Sequence, residues 1–378
     1  MTSIRGFMLA SLRRLRFERG GLLATLVVVA GTAFLFAAMP RAFDRISERG
    51  LHYTLEHADP LQRNFSLTTN GRATLAAEDT EIAPVLRQAQ RERLALPPAL
   101  GDVVSRQTVV VTTPRYGLVS GVPAIPNVAR ILTLRIPSGV EPHVRLVGGH
   151  WPAPSGRTRT VSTAAIPGTV ARTVPVVEIA LSSATAAQMR MHVGDRLVFF
   201  PGQNSPAVLN VPFIDQRPLA LDLVGIYRVR DPDAPYWFSD ETLARPQLAS
   251  SQDLQTSTWI GAALVLPSQY RDLLRATAPF VLAYENRFFV DPDRIHAADV
   301  DRLDDATRQM GVRYANPAVL APLLQLQLGT VLAGYEAARA QAKTLLAIAA
   351  IGLLACALAV IGLLAALSNE RRRVATAL

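Results

Sequence analysis

The chain has 378 residues, a net charge of +9 and a single cysteine, Cys356. That length holds one large domain or two ordinary ones, and a lone cysteine excludes a disulfide framework. The basicity is not that of a nucleic-acid surface: residues 1–19 carry +4, the last eleven carry +2, and only +3 remains between these flanks.

From the N-terminus, residues 1–20 place Ile4, Phe7, Met8, Leu12 and Leu15 on one helical face, with Arg13, Arg16 and Arg19 mostly off it. This pattern fits a short amphipathic helix in the cytoplasmic interface of a membrane. Residues 21–39 are uncharged and form a minimal membrane span. The Arg-rich side belongs to the cytoplasm, so residue 41 onward is expected outside. Residues 40–59 form a predicted stalk helix, with Phe43, Ile46, Tyr53 and His57 near one face and Pro60 as its stop.

Between the stalks the patterns are mixed. Residues 60–143 and 233–316 alternate helical and strand-like stretches, whereas 144–232 is dominated by short strands and turns. The middle reads as a β-rich lobe inserted into an α/β frame. Strands are predicted at Asn64–Thr69, Thr108–Thr113, Ile131–Ile136, Val174–Leu181, Arg196–Phe200, Ala220–Val229 and Ala283–Val290. Helices are predicted at Glu81–Leu94, Ser183–Met189, Gln269–Ala276 and Ala298–Met310.

Residues 317–343 are predicted as a second stalk helix, whose Leu324, Leu328, Val331 and Tyr335 recur at helical spacing. These four are the candidate coupling residues. Thr344 to Leu367 is an uncharged run of 24 residues, long enough to span a hydrocarbon core of about 30 Å. Within it Gly352, Ala355, Ala359, Gly362 and Ala366 fall on one face, where small side chains permit close helix packing in lipid. Arg371, Arg372 and Arg373 place the tail, 368–378, on the cytoplasmic side.

Catalytic signatures are missing. The single lysine, Lys343, follows Ala342 rather than Gly, so no phosphate-wrapping G-x-x-x-x-G-K-[ST] loop exists for ATP hydrolysis. The six histidines form no H-E-x-x-H motif, and His52 with Glu56 at i, i+4 reads as a solvated pair. Asp231 and Asp233 start like a calcium loop, but Pro235 and the missing Gly break it. Trp151, Tyr236, Trp237 and Phe238 read as lobe core. The chain is therefore expected to be no enzyme, with no cofactor or metal.

Three stretches carry a family resemblance: VRLVGGHWPAPSG (144–156), VEIALSSATAAQMRMHVGDRLVF (177–199) and LALDLVGIYRVRDPDAPYW (219–237). In this order, between two spans, they resemble the FtsX-like or MacB-type permeases of ABC transporters. His150 stands where the family's G-R-W-P turn has Arg. The resemblance implies a membrane protein of α+β class with both termini cytoplasmic. Its extracytoplasmic domain would pair a porter-like α/β lobe with an inserted β-rich lobe. Its partners would be the lipid bilayer, a separate cytoplasmic ATPase, and the rest of the permease or a second copy. Its action would be mechanotransmission for export of lipid-linked or amphiphilic substrates, or control of an envelope partner. Family members continue past the Arg cluster, so the chain is expected to be the N-terminal part of a longer permease. The competing layout is a two-span receptor with an exported ligand-binding domain.

Overall fold

A computed structural model describes residues 3–72, 81–161, 171–201, 217–250, 257–278, 281–315 and 322–377. In chain order the elements are α1 (Ser3–His57), α2 (Pro60–Arg63), β1 (Phe65–Arg72), α3 (Ala83–Leu94), α4 (Pro98–Val103) and β2 (Val104–Thr112). Then come β3 (Tyr116–Ser120), β4 (Val128–Pro137), β5 (Val144–Gly149), β6 (Thr158–Val161), β7 (Arg172–Ser182), α5 (Ser183–Met189), β8 (Arg196–Pro201) and β9 (Leu219–Val229). The remainder is β10 (Gln247–Ser250), β11 (Ser257–Leu264), α6 (Tyr270–Thr277), β12 (Val281–Val290), α7 (Val300–Arg313), β13 (Leu323–Leu326) and α8 (Leu328–Ala377). The class is α+β, with one large mixed sheet and two long apolar helices.

The chain divides into two compact units: Met1–Glu56 with His296–Ala298 and Leu332–Leu378, and His57–Ile295 with Asp299–Val331. The first is helical. In α1 the predicted interfacial helix, span and stalk form one run of 55 residues, with Pro40 inside it where the span meets the extension. In α8 residues 328–343 of the predicted extension and the predicted second span lie in one run of 50 residues. At 1.5 Å per residue the runs measure roughly 83 and 75 Å, each more than twice a hydrocarbon core. Both helices are long and apolar enough to cross a membrane.

In the second unit the pairings β3–β8, β8–β9, β9–β7, β7–β11, β11–β4 and β4–β3 close on themselves. Six strands therefore form a ring. Alternate residues of each strand point to one side of a pleated sheet, and one set fills the ring: Leu132 and Leu134, Val177 and Ile179, Leu197 and Phe199, Leu221 and Leu223 share one buried cluster. Their neighbours Ala180, Tyr227, Ala262 and Leu264 join a second cluster with Tyr236 and Trp237. From β4 the sheet runs on through β2, β12, β1 and β13 as an open antiparallel ribbon. The ring draws on residues 116–264, so the expected boundaries at 144 and 232 fall inside it. The pairings of β3 with β8 and of β7 with β11 each cross one of these boundaries, and that of β11 with β4, residues 257–264 beside 128–135, joins the two flanks.

Two of the motif stretches meet at β5 and β9. Gly149 has φ +70°, and a Cβ there would lie 2.0 Å from the Val224 carbonyl oxygen. A Cβ on Gly225 would lie 2.4 Å from the His150 carbonyl oxygen. Only glycine fits both positions. Of the aromatic cluster, Tyr236, Trp237 and Phe238 are core and Trp151 is half-buried; the Tyr236 hydroxyl donates to the Ser138 carbonyl and Trp237 Nε1 donates to that of Asp231. Asp231 Oδ1 in turn accepts from the Asp233 N–H, which fixes a turn.

One element differs in kind from its expectation. Leu323–Leu326 is a strand on β1, not the start of a stalk helix. Residues 322–328 read P-L-L-Q-L-Q-L, and from Leu324 the alternation has a period of two, which suits a half-buried strand as well as the i, i+4 pair suits a helix. Pairing with Phe65–Thr68 decides it. Residues 317–321 of the predicted stalk lie outside the described residues.

Candidate functional site: the extensions of the two long helices

Beyond the predicted spans, α1 and α8 touch. Ser47, Leu51 and Leu55 are buried at i, i+4 spacing on α1, and Leu332 and Tyr335 are buried at i, i+3 on α8. The Tyr335 hydroxyl donates to the Ser47 carbonyl oxygen at 3.1 Å, and burial raises its pKa. This face of α1 is not the expected one. Ile46 and Tyr53 are 66% and 63% exposed, and His57 is exposed too. An apolar-face reading passes over Ser47, which contributes closeness of approach rather than hydrophobicity.

Of the coupling candidates, Leu328 and Tyr335 are buried, Val331 is half-buried, and Leu324 lies in β13 opposite Leu67. The structure thus brings Tyr335 to the helix contact and assigns Leu324 to the sheet. Gly352, Ala355, Ala359, Gly362 and Ala366 are all exposed, and Cβ atoms built on Gly352 and Gly362 would meet nothing within 4 Å. Nothing within the described residues covers that stripe.

The segment His296–Ala298 is held from both helices. Its Ala297 N–H donates to Glu48 Oε2 at 2.8 Å, and its Ala297 carbonyl accepts from Arg339 at 3.3 Å. Glu48 Oε1 lies 2.7 Å from His296 Nδ1 and 3.7 Å from His52 Nε2. Burial would raise the Glu48 carboxyl, but the Ala297 N–H and the two imidazoles outweigh it and hold the group below the ordinary range. His52 thus faces the carboxylate of Glu48, one turn N-terminal to it on α1. Glu48 and His296 are 248 residues apart, a separation that no local pattern reveals.

The second unit holds a cavity of about 400 Å³ between α3, α6 and strands β1, β2 and β12. Val85, Ala89, Val109 and Leu274 give it an apolar wall, and the hydroxyls of Tyr270 and Tyr284 meet at 3.0 Å beside it. Asn286 closes its floor by donating to the Ala89 carbonyl and to Glu92 Oε2. Its size lies in the range of small-molecule sites.

No protein-family model matches the chain, and no curated protein matches it significantly.

Proposed function

We propose that this chain is a permease component of an ABC transporter of the mechanotransmission type. In this reading α1 and α8 cross the plasma membrane with both termini in the cytoplasm. The ring and the open sheet are the two lobes of an extracytoplasmic domain. A separate subunit hydrolyses ATP, and the extensions carry its motion outward toward a lipid-linked or amphiphilic substrate or an envelope partner. The small-residue stripe of α8 packs against the remaining helices of the permease or a second copy.

One observation carries the reading: each span continues without a break into an extension, and the two extensions are fastened to one another through Tyr335 and Ser47. A stiff, joined pair transmits displacement, whereas two independently tethered spans do not. The cavity favours a second reading, a two-span receptor in which a bound amphiphile alters the exported unit.

Affinity purification of the full chain from its native membrane separates the two. The permease reading expects an ATP-hydrolysing subunit to co-purify in stoichiometric amount. A preparation with no ATPase activity, carrying a signalling protein instead, would decide for the receptor.

A further inference from the structure

We infer that Glu48, His52 and His296 form a binding site for a divalent cation of the zinc class. One carboxylate oxygen and two imidazole nitrogens lie within 4.8 Å of one another. The inference does not depend on the transporter reading.

The donor set selects the ion. Two imidazoles and one carboxylate suit Zn²⁺ and its first-row neighbours, whereas Mg²⁺ and Ca²⁺ take oxygen ligands. The spacing is close to what such an ion requires. Bonds of 2.0–2.2 Å in a tetrahedron place ligand atoms about 3.3 Å apart. The two contacts of Glu48 Oε1, 2.7 Å to His296 and 3.7 Å to His52, straddle that value, and the two imidazole nitrogens, which lie within 4.8 Å of each other, close on the ion by side-chain rotation.

The site is also built. Glu48 and His52 are one turn apart on the same face of α1, so the helix backbone fixes their separation. His296 precedes a peptide bonded on both sides, through its N–H to Glu48 and through its carbonyl to Arg339. The Ala297 N–H on Glu48 Oε2 leaves Oε1 to face the histidines, the orienting hydrogen bond that metal-ligating carboxylates commonly receive. Three protein ligands leave a fourth position for water or an exchangeable group. Zn²⁺ binding would displace the proton shared by Glu48 and His296 and fasten the α1 extension to the segment His296–Ala298.

The test is zinc titration of the full chain in detergent against a chromogenic chelator. The expected result is one Zn²⁺ per chain, not displaced by excess Mg²⁺. Affinity should fall by roughly tenfold or more in each of Glu48→Gln, His52→Gln and His296→Gln, and stay unchanged in His192→Gln, which alters an exposed histidine of the second unit. Glu48→Gln keeps an acceptor for the Ala297 N–H, so a folded variant is expected, and circular dichroism verifies this for all four. With Co²⁺ in place of Zn²⁺, the wild type should show the intense visible bands of a four-coordinate ion, and the three variants should lose them. Zinc retained no better by the wild type than by His52→Gln/His296→Gln would overturn the proposal, as would displacement by Mg²⁺.

Discussion

Replacing Ala337 with proline is expected to stop transport while leaving the chain expressed, inserted and folded. Ala337 is exposed and lies ten positions into α8, short of the predicted span. Proline there removes the hydrogen bond from the Ala337 N–H to the Ala333 carbonyl and drives its ring against that carbonyl, at about 3 kcal/mol. Nothing packs closely on this position, so the cost falls on the continuity of the helix. On the proposed permease function, ATP hydrolysis by the partner subunit should continue and substrate export should be lost. Ala337→Ser, which costs under ~0.5 kcal/mol of helix propensity, should export normally. Hydrogen exchange gives a reading free of any substrate: amides around residues 333–341 should exchange faster in the proline variant alone. Wild-type export by Ala337→Pro would reduce the extension to a tether.

The placement of that proline depends on where α8 begins. A helix starting at Pro322 would make Val331 an interior position. With α8 beginning at Leu328, Val331 sits in the first turn, where its N–H reaches Gln327 at a long 3.4 Å. Proline costs far less there.

The second large effect concerns the join between ring and open sheet. Asp240 pairs with Arg135 of β4 and with Arg287 of β12, and Arg287 also meets Glu285 at 2.8 Å. The side chains of Asp240, Arg135 and Arg287 are 16%, 16% and 8% exposed, so this is a buried network rather than a screened surface pair. Burial and the neighbouring Arg287 push Arg135 down to about 10, which leaves it charged at neutral pH. Asp240→Ala therefore takes the carboxylate away from the buried Arg135 guanidinium and leaves it beside Arg287, which keeps Glu285. A loss of about 3 kcal/mol is expected, lowering the melting temperature by roughly 6–12 °C. All three tryptophans, Trp151, Trp237 and Trp259, lie in this unit, so their fluorescence follows its unfolding. A melting point within a degree or two of the wild type would show that solvent or Glu285 satisfies Arg135 in place of Asp240.

Local patterns of the sequence translate well into elements. The helix Ser183–Met189 has the bounds its spacing indicates, capped by the Ser182 hydroxyl, which accepts from the Thr185 N–H. The strands at 172–182, 196–201 and 219–229 likewise follow their β-branched runs. What stays hidden is non-local. Ring closure rests on β11 lying parallel to β4, and short strands such as β11 (STWIGAAL) carry too little alternation to announce a partner. The same limit explains His296. Its nearest chemistry comes from Glu48, whereas sequence offers only the neighbours within a turn. At Leu323–Leu326 two periods coexist in one segment, and tertiary pairing chose between them.

The account stands or falls on which side of a membrane each part lies. With Cys356 replaced by Ala, single cysteines at exposed Ala187 and Asn369 give the most direct measurement, using a membrane-impermeant thiol reagent on intact spheroplasts. The account predicts that Ala187→Cys reacts from outside and that Asn369→Cys reacts only after permeabilisation. Labelling of Asn369→Cys in intact cells, or protection of Ala187→Cys, would contradict it.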